Sequence, residues 1–198
     1  ETAGGLYPFL RFLFRTRVPI RQGTVHTVAF DYRLAAAVLD LPAEAPPLGF
    51  SPEAEEKPPV LAECPFAVIQ PMTRWPGKRW VPERWEVLAT RLLERVRSLV
   101  VLAGPGGEEQ ELAHRLASLA PGRVHFPETL LSFAQIAWLL RRARIFVGVD
   151  SFGAHLAAAC QCPAAVLYGP SNEHEYGPWK VPHEVIALPG REVPARFE

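Results

Sequence analysis

From residue 66 onward, short apolar runs alternate with stretches in which apolar residues recur at every third or fourth position. The short runs predict buried strands, and the longer spacing predicts amphipathic helices. Strands that alternate with helices form a parallel sheet with helices on both faces. The pattern therefore predicts an α/β fold with strands at residues 66–70, 99–103, 123–126, 145–149 and 164–168.

Helix signals fill the gaps between these strands. Pro82 suits the first position of a helix that precedes the second strand, and the next helix is predicted at residues 108–119. Ser132 with Gln135 three residues later has the spacing of a capping box. A fourth, short helix is predicted at residues 154–160.

The first 60 residues have a different pattern. A helix is predicted at residues 25–41, and a stretch with seven prolines follows at residues 42–65. Proline-rich stretches of this kind are typical of interdomain linkers. We expect residues 1–60 to be mobile or packed against a neighbouring molecule. We predict a remnant of one domain and a linker at residues 1–60, and a second domain at residues 61–198.

Composition narrows the function. Lys plus Arg and Asp plus Glu both number 21, so the net charge is zero and gives no sign of general nucleic-acid binding. No apolar run is long enough to span a membrane. Three cysteines without scaffold spacing favour a reducing compartment, so we expect a cytoplasmic protein. The pair Cys160 and Cys162 lacks the paired spacing of zinc sites, and no metal site is predicted.

Ligands of open parallel sheets bind at the carboxyl ends of the strands, which directs attention to four loops. The loop after the first strand carries Thr73, Arg74 and Lys78, whose charges suit a diphosphate. Alternatively, it is a solvated loop whose tryptophans cover a helix start. The loop after the fifth strand, at residues 168–172, closes the same edge.

The other two loops each lead into a helix. Gly104 and Glu108 follow the second strand, where glycine allows close approach of a ligand and a carboxylate suits ribose hydroxyls. An ordinary loop with glutamates at a helix N-terminus fits equally well. After the fourth strand, the helix start offers backbone donors to an anion, although its Asp and His also suit a helix cap and a helix histidine. The residues of this turn are Asp150, Ser151, Gly153, Ala154 and His155.

Residues 145–170 resemble the signature of glycosyltransferase family nine, the ADP-heptose:lipopolysaccharide heptosyltransferases. The resemblance consists of an apolar strand, Asp-Ser/Thr-Gly-x-x-His, an Ala-rich helix and a strand that ends in Gly-Pro-Ser/Thr. Lys78 and Trp80 are similar to the family's Lys-x-Trp-Pro element, and residues 127–143 to its preceding helix. Two departures stand out: Phe152 occupies the place of the family's Gly, with Gly153 following it, and Pro82 comes two residues after Trp80.

The resemblance implies one half of a two-domain GT-B glycosyltransferase, with a Rossmann-like domain that binds an ADP-sugar without cofactor or metal. It implies inverting transfer to a lipopolysaccharide-type or other glycan acceptor at the inner face of the inner membrane. The catalytic base is expected in the N-terminal domain, so its identity is unknown and this chain alone is expected to be inactive. Peripheral membrane contact is expected through that domain. The expected diphosphate residues are Thr73, Arg74, Lys78, Ser151, Gly153 and Ala154, with Asp150 and His155 at the turn or the sugar, and Gly104 and Glu108 at the ribose.

Two rival interpretations remain open at this point. One is another two-domain nucleotide-sugar enzyme, such as a hexosaminyltransferase or an epimerase. The other is a non-catalytic module that binds a nucleotide and performs no chemistry. The nucleotide preference separates the first rival from the family interpretation, and an upstream catalytic half argues against the second.

Overall fold

The computed structural model describes residues 18, 23–60 and 62–189. Six strands form one parallel sheet in the order β3-β2-β1-β4-β5-β6, which is the strand order of the Rossmann fold. The chain runs from β1 outward to β3 and then returns to β4 beside β1, so β1 and β4 mark the switch point where ligands bind. The strands are β1 (Phe66–Gln70), β2 (Ser98–Val101), β3 (Val124–His125), β4 (Ile145–Val149), β5 (Ala164–Tyr168) and β6 (His183–Ala187).

The helices cover both faces of the sheet. On one face, α2 and α3 bury Trp85, Leu112 and Leu116 against Ile69 and Leu99. On the other face, α4 and α5 pack against the opposite side of β1 and β4, which makes a second core. The helices are α1 (Thr27–Ala36), α2 (Pro82–Leu92), α3 (Gly107–Leu119), α4 (Phe133–Leu140), α5 (Phe152–Ala159) and the single turn α6 (Glu173–Tyr176), with a 3-10 turn at Pro76–Lys78.

The α/β fold, the five predicted strands and the capping box at Ser132 are confirmed. The strand β6 and the turn α6 were not predicted. In β6 the residues His183, Glu184 and Ile186 are exposed, because the strand lies at the sheet edge, and the strand begins with two polar residues before a short apolar run at residues 185–188. The strand β2 ends at Val101, two residues earlier than predicted, since the chain leaves the sheet there to line a crevice.

The Pro-rich stretch is bound to the domain. Phe50 and Val60 pack against the core beneath α4, and Arg141, the residue that follows this helix, donates to the carbonyl of Phe50 at 2.5 Å. At the other end, the indole of Trp179 donates to the carbonyl of Pro46 at 2.8 Å. The expectation of a mobile segment is therefore wrong for residues 42–60, while the domain division near residue 60 stays a prediction.

The predicted helix at residues 25–41 is shorter than expected. It begins at Thr27 and ends at Ala36, and none of its residues is buried. The residue before it, His26, packs on Trp179 of the domain, with ring centroids 4.6 Å apart. Across residues 23–60 and 62–189, α3 is the longest helix at 13 residues, and none has the length and apolar character of a membrane span.

Candidate functional site

A crevice of about 610 Å³ opens at the carboxyl ends of β1, β2, β3 and β4. Its volume lies within the range of small-molecule sites, and its walls are mainly apolar with a few polar groups, as is usual for such sites. The polar and charged side chains are concentrated near β1 and β4, whereas the wall after β3 is apolar. The lining residues after β3 are Phe126, Pro127, Thr129, Leu130, Leu131, Phe133 and Ile136.

Two oppositely charged residues meet where β1 and β4 lie side by side. The 3-10 turn ends at Lys78, whose Nζ lies 2.6 Å from Oδ2 of Asp150. Asp150 directly follows β4 and is only 3% exposed, and Lys78 is 17% exposed. Both residues line the crevice, so the structure brings together the cation and the carboxylate that are 72 residues apart in sequence.

The β1 loop, residues 71–81, packs against α2 on one side and faces the crevice on the other. Trp80 packs edge to face against the buried Trp85, with ring centroids 5.3 Å apart, so this tryptophan does cover the start of α2. Thr73 and Arg74 line the crevice, with Arg74 exposed at its mouth. The loop therefore has both functions that its sequence allowed: its tryptophan covers the start of a helix, and its cations form one wall of the crevice.

The N-terminus of α5 faces the crevice beside Asp150. Ser151 is the cap residue, and its hydroxyl donates to Oε1 of Gln70 at 3.0 Å, so it makes no side-chain cap. The backbone N–H of Ala154 donates to the carbonyl of Ser151 at 3.1 Å. Ala154 is thus not a free donor, contrary to expectation. The N–H groups of Phe152 and Gly153, at the first two positions of the helix, have no preceding helical carbonyl to bond.

His155 lies outside the lining of the crevice, on the next turn of α5. Burial lowers the pKa of its imidazole, the charge of Asp150 opposes that shift, and His26 and Lys78 add to it. The ring is therefore neutral at pH 7. The sugar contact expected for this residue stays a prediction.

The loop after β2 brings a different glutamate to the crevice than the sequence suggested. Glu109 is buried, lines the crevice, and accepts the backbone N–H of Gly104 at 2.5 Å. A β-carbon at Gly104 would lie 2.5 Å from the same carboxylate oxygen, so a larger residue at this position would displace the Glu109 carboxylate. Glu108 is 73% exposed and pairs with Arg79 at 2.5 Å, outside the lining.

The loop after β5 does not line the crevice. Gly169 instead packs against the β1 loop, where a β-carbon would lie 2.9 Å from the carbonyl oxygen of Gly77. The expectation that all four loops converge on one crevice is therefore wrong for this loop, although it closes the same edge of the sheet, and the loop after β3 lines the crevice instead. The signal for that wall was present in the sequence as the apolar and aromatic residues between Phe126 and Phe133.

Three further lining residues were missed by the sequence analysis: Gln70, Glu109 and Phe152. Gln70 was detectable, because it is the only polar residue of β1. Glu109 was not, since only the direction of the first turn of α3 separates it from Glu108. Phe152 is 46% exposed and lies edge to face with Phe133 at the rim, with centroids 5.7 Å apart.

The cysteines lie apart from this site. Burial, together with the neighbouring Cys160, raises the pKa of the Cys162 thiol to about 12. Burial also raises the pKa of Cys160. Both thiols are therefore protonated at neutral pH, which disfavours metal binding by this pair.

Comparison with known proteins places the chain in a family. The model of glycosyltransferase family 9 (heptosyltransferase) matches residues 7–197. Lipopolysaccharide heptosyltransferase 1 of Pseudomonas aeruginosa is 33% identical over 165 residues, which is 83% of this chain and 45% of that protein.

Solved structures agree with this match. E. coli heptosyltransferase WaaC with ADP is 28% identical, with a TM-score of 0.53 over 65% of this chain and 39% of that chain. The same enzyme with ADP-2-deoxy-2-fluoro heptose gives a TM-score of 0.55 at 28% identity, over 69% and 40% of the two chains. The chain thus spans less than half the length of these relatives. With the family model matched along nearly all of its length, the chain belongs to glycosyltransferase family 9.

Proposed function

We propose that this chain forms the half of a heptosyltransferase-like glycosyltransferase that binds an ADP-sugar, and that the crevice holds this donor. The observation that carries the proposal is the pair of Lys78 and Asp150 beside the N-terminus of α5, inside the crevice at the switch point of the sheet. The heptosyltransferase of E. coli whose fold this chain shares was solved with ADP, which supports an adenine nucleotide here.

The diphosphate lies between Lys78 and the first turn of α5 in this proposal. Lys78 supplies a cation, and the N–H groups of Phe152 and Gly153 supply donors at the positive end of the helix dipole. Thr73 and Arg74 flank the same wall. These groups stabilise the charge that develops on the leaving diphosphate during transfer, and the proposed mechanism requires no metal.

The nucleoside extends away from Lys78 across β2 and β3. We place the ribose beside Gly104, where Glu109 faces the crevice while Glu108 points to solvent. The base packs on the apolar wall after β3, where Leu130 and Phe133 are exposed and available to contact a planar ring. The assignment of the ribose thus passes from Glu108 to Glu109.

Transfer requires a second domain in this account. The sugar is passed with inversion to a lipopolysaccharide-type acceptor, and a general base must lie within hydrogen-bond reach of the acceptor hydroxyl. We propose that this base belongs to the facing domain of the whole protein, which acts at the cytoplasmic face of the inner membrane. The chain described here then binds nucleotide without transferring sugar.

A nucleotide panel tests the proposal. ADP, UDP, GDP and CMP are compared by thermal shift and by calorimetry, each with magnesium and with EDTA. We expect ADP to stabilise the chain most, by about 2.7 kcal/mol at 100 times its dissociation constant, with no dependence on magnesium. A preference for UDP contradicts the proposed donor, and a requirement for magnesium contradicts the metal-independent site.

A further inference from the structure

Gln70 is a buried polar residue in the wall of the crevice. It ends β1, a strand that is otherwise apolar and entirely buried, and its side chain is 5% exposed. It lines the crevice together with Asp150 and Ser151. A buried amide at this position is costly unless its donors and acceptor find partners.

The amide of Gln70 is oriented by its neighbours. Its Oε1 accepts the hydroxyl of Ser151 at 3.0 Å and lies against the backbone of Gly153, where a β-carbon would be only 2.0 Å away. The Nε2 group carries two N–H donors, and no residue in the described part of the chain accepts from it. The neighbouring α5 N-terminus leaves its own first N–H groups on the same side.

The contact between Gln70 and Gly153 gives a physical reason for the glycine at position 153. The family has Gly directly after the Asp-Ser/Thr pair, whereas this chain has Phe152 there and Gly153 one position later. Because the Gln70 side chain fills the space beside position 153, any larger residue there would collide with it. Gln70 and Gly153 therefore form one matched feature of this chain.

We propose that Nε2 of Gln70 donates to the diphosphate of the nucleotide, as a specificity residue for nucleoside diphosphates over unphosphorylated nucleosides. This inference rests on the proposed function. The charge of Asp150 is already paired with Lys78 at 2.6 Å, so a neutral donor suffices beside this pair. The amide thus adds a donor without a second buried cation.

The test compares ADP with adenosine. Gln70→Met keeps the length and volume of the side chain but removes both N–H donors. We expect calorimetry to show about tenfold weaker ADP binding, the value of one hydrogen bond to a charged group, while adenosine binding changes less than about twofold. Equal loss for both ligands, or no loss of ADP binding, overturns the inference.

A second measurement does not depend on the variant folding. In ¹⁵N-labelled parent chain, the side-chain amide signals of Gln70 are assigned and followed during titration with ADP and with adenosine. We expect them to shift with ADP and to stay in place with adenosine, and unchanged signals at saturating ADP overturn the inference. If the parent binds no ADP at all, the proposed function fails as well, which is a distinct outcome.

Discussion

Two neighbouring cations in the β1 loop make ion pairs of very different character. Lys78 turns inward to Asp150, and both partners are largely buried and line the crevice. Arg79 turns outward to Glu108, which is 73% exposed. Exposed ion pairs contribute little to stability or to binding, because water screens them. The charge of a buried cation beside a helix N-terminus acts on an anionic ligand with little screening by solvent. The comparison shows that the position of a charge, more than its presence in the loop, decides its role.

The largest expected difference is between Lys78→Ala and Arg79→Ala. Loss of the inner cation removes a charge-assisted contact worth roughly 1.5 to 3 kcal/mol, so ADP affinity falls about 10-fold to 100-fold. Loss of the outer cation changes affinity less than about threefold. Calorimetry on both variants measures the ratio, and thermal unfolding without ligand confirms that each is folded. Equal losses would mean that Lys78 does not contact the diphosphate.

Asp150→Asn separates the contribution of this residue to diphosphate binding from its contribution to sugar binding. The substitution removes a negative charge next to the diphosphate and releases Lys78, so ADP should bind as tightly as before or more tightly. If Asp150 contacts the sugar, ADP-2-deoxy-2-fluoro heptose should lose about tenfold relative to ADP. The ratio of the two dissociation constants is the readout. An unchanged ratio would limit Asp150 to positioning Lys78.

Glu109→Gln and Glu108→Gln extend the comparison to the ribose. Glu109 holds Gly104 and faces the crevice, so its substitution should weaken ADP binding about threefold to tenfold, the range for one hydrogen bond. Glu108→Gln removes only an exposed pair and should have no measurable effect. Competition with 2′-deoxy-ADP reports on the ribose directly. The opposite ranking of the two variants would restore Glu108 as the ribose ligand.

The smallest expected effect concerns His155 and pH. An unfolded histidine takes up its proton near pH 6.5, at about the ordinary pKa. Burial lowers the pKa in the folded chain, so the unfolded state binds more protons in the window just below that value. Stability should be complete above this window and should fall as the pH drops through it toward the folded pKa. His155→Gln should flatten this part of the denaturation profile, and an unchanged profile would mean that His155 does not carry the effect.

The sequence was sufficient for the sheet because buried parallel strands and their helices have strong periodic patterns. The edge strand β6 has no buried residue and begins with two polar residues, which is why it was missed although it contains Val185 and Ile186. Within the site, Lys78 and Asp150 could be predicted to meet, because parallel strands carry their following loops to one edge.

Finer details of the site depended on contacts that spacing does not reveal. Glu108 and Glu109 are adjacent and chemically identical, and only the direction of the first turn of α3 sends one to the crevice and the other to Arg79. Gly153 lies one position later than the glycine of the family signature, and the Gln70 side chain fills the space beside it. In both places, side-chain packing between distant segments decides the outcome.

The most direct test of the donor site is a crystal structure of this chain with ADP. The account predicts a diphosphate oxygen within about 3.2 Å of Nζ of Lys78 and of the first N–H groups of α5, with the base on the wall after β3. ADP bound elsewhere, for example in the groove near Arg97 and Arg123 at the opposite edge of the sheet, would contradict the account.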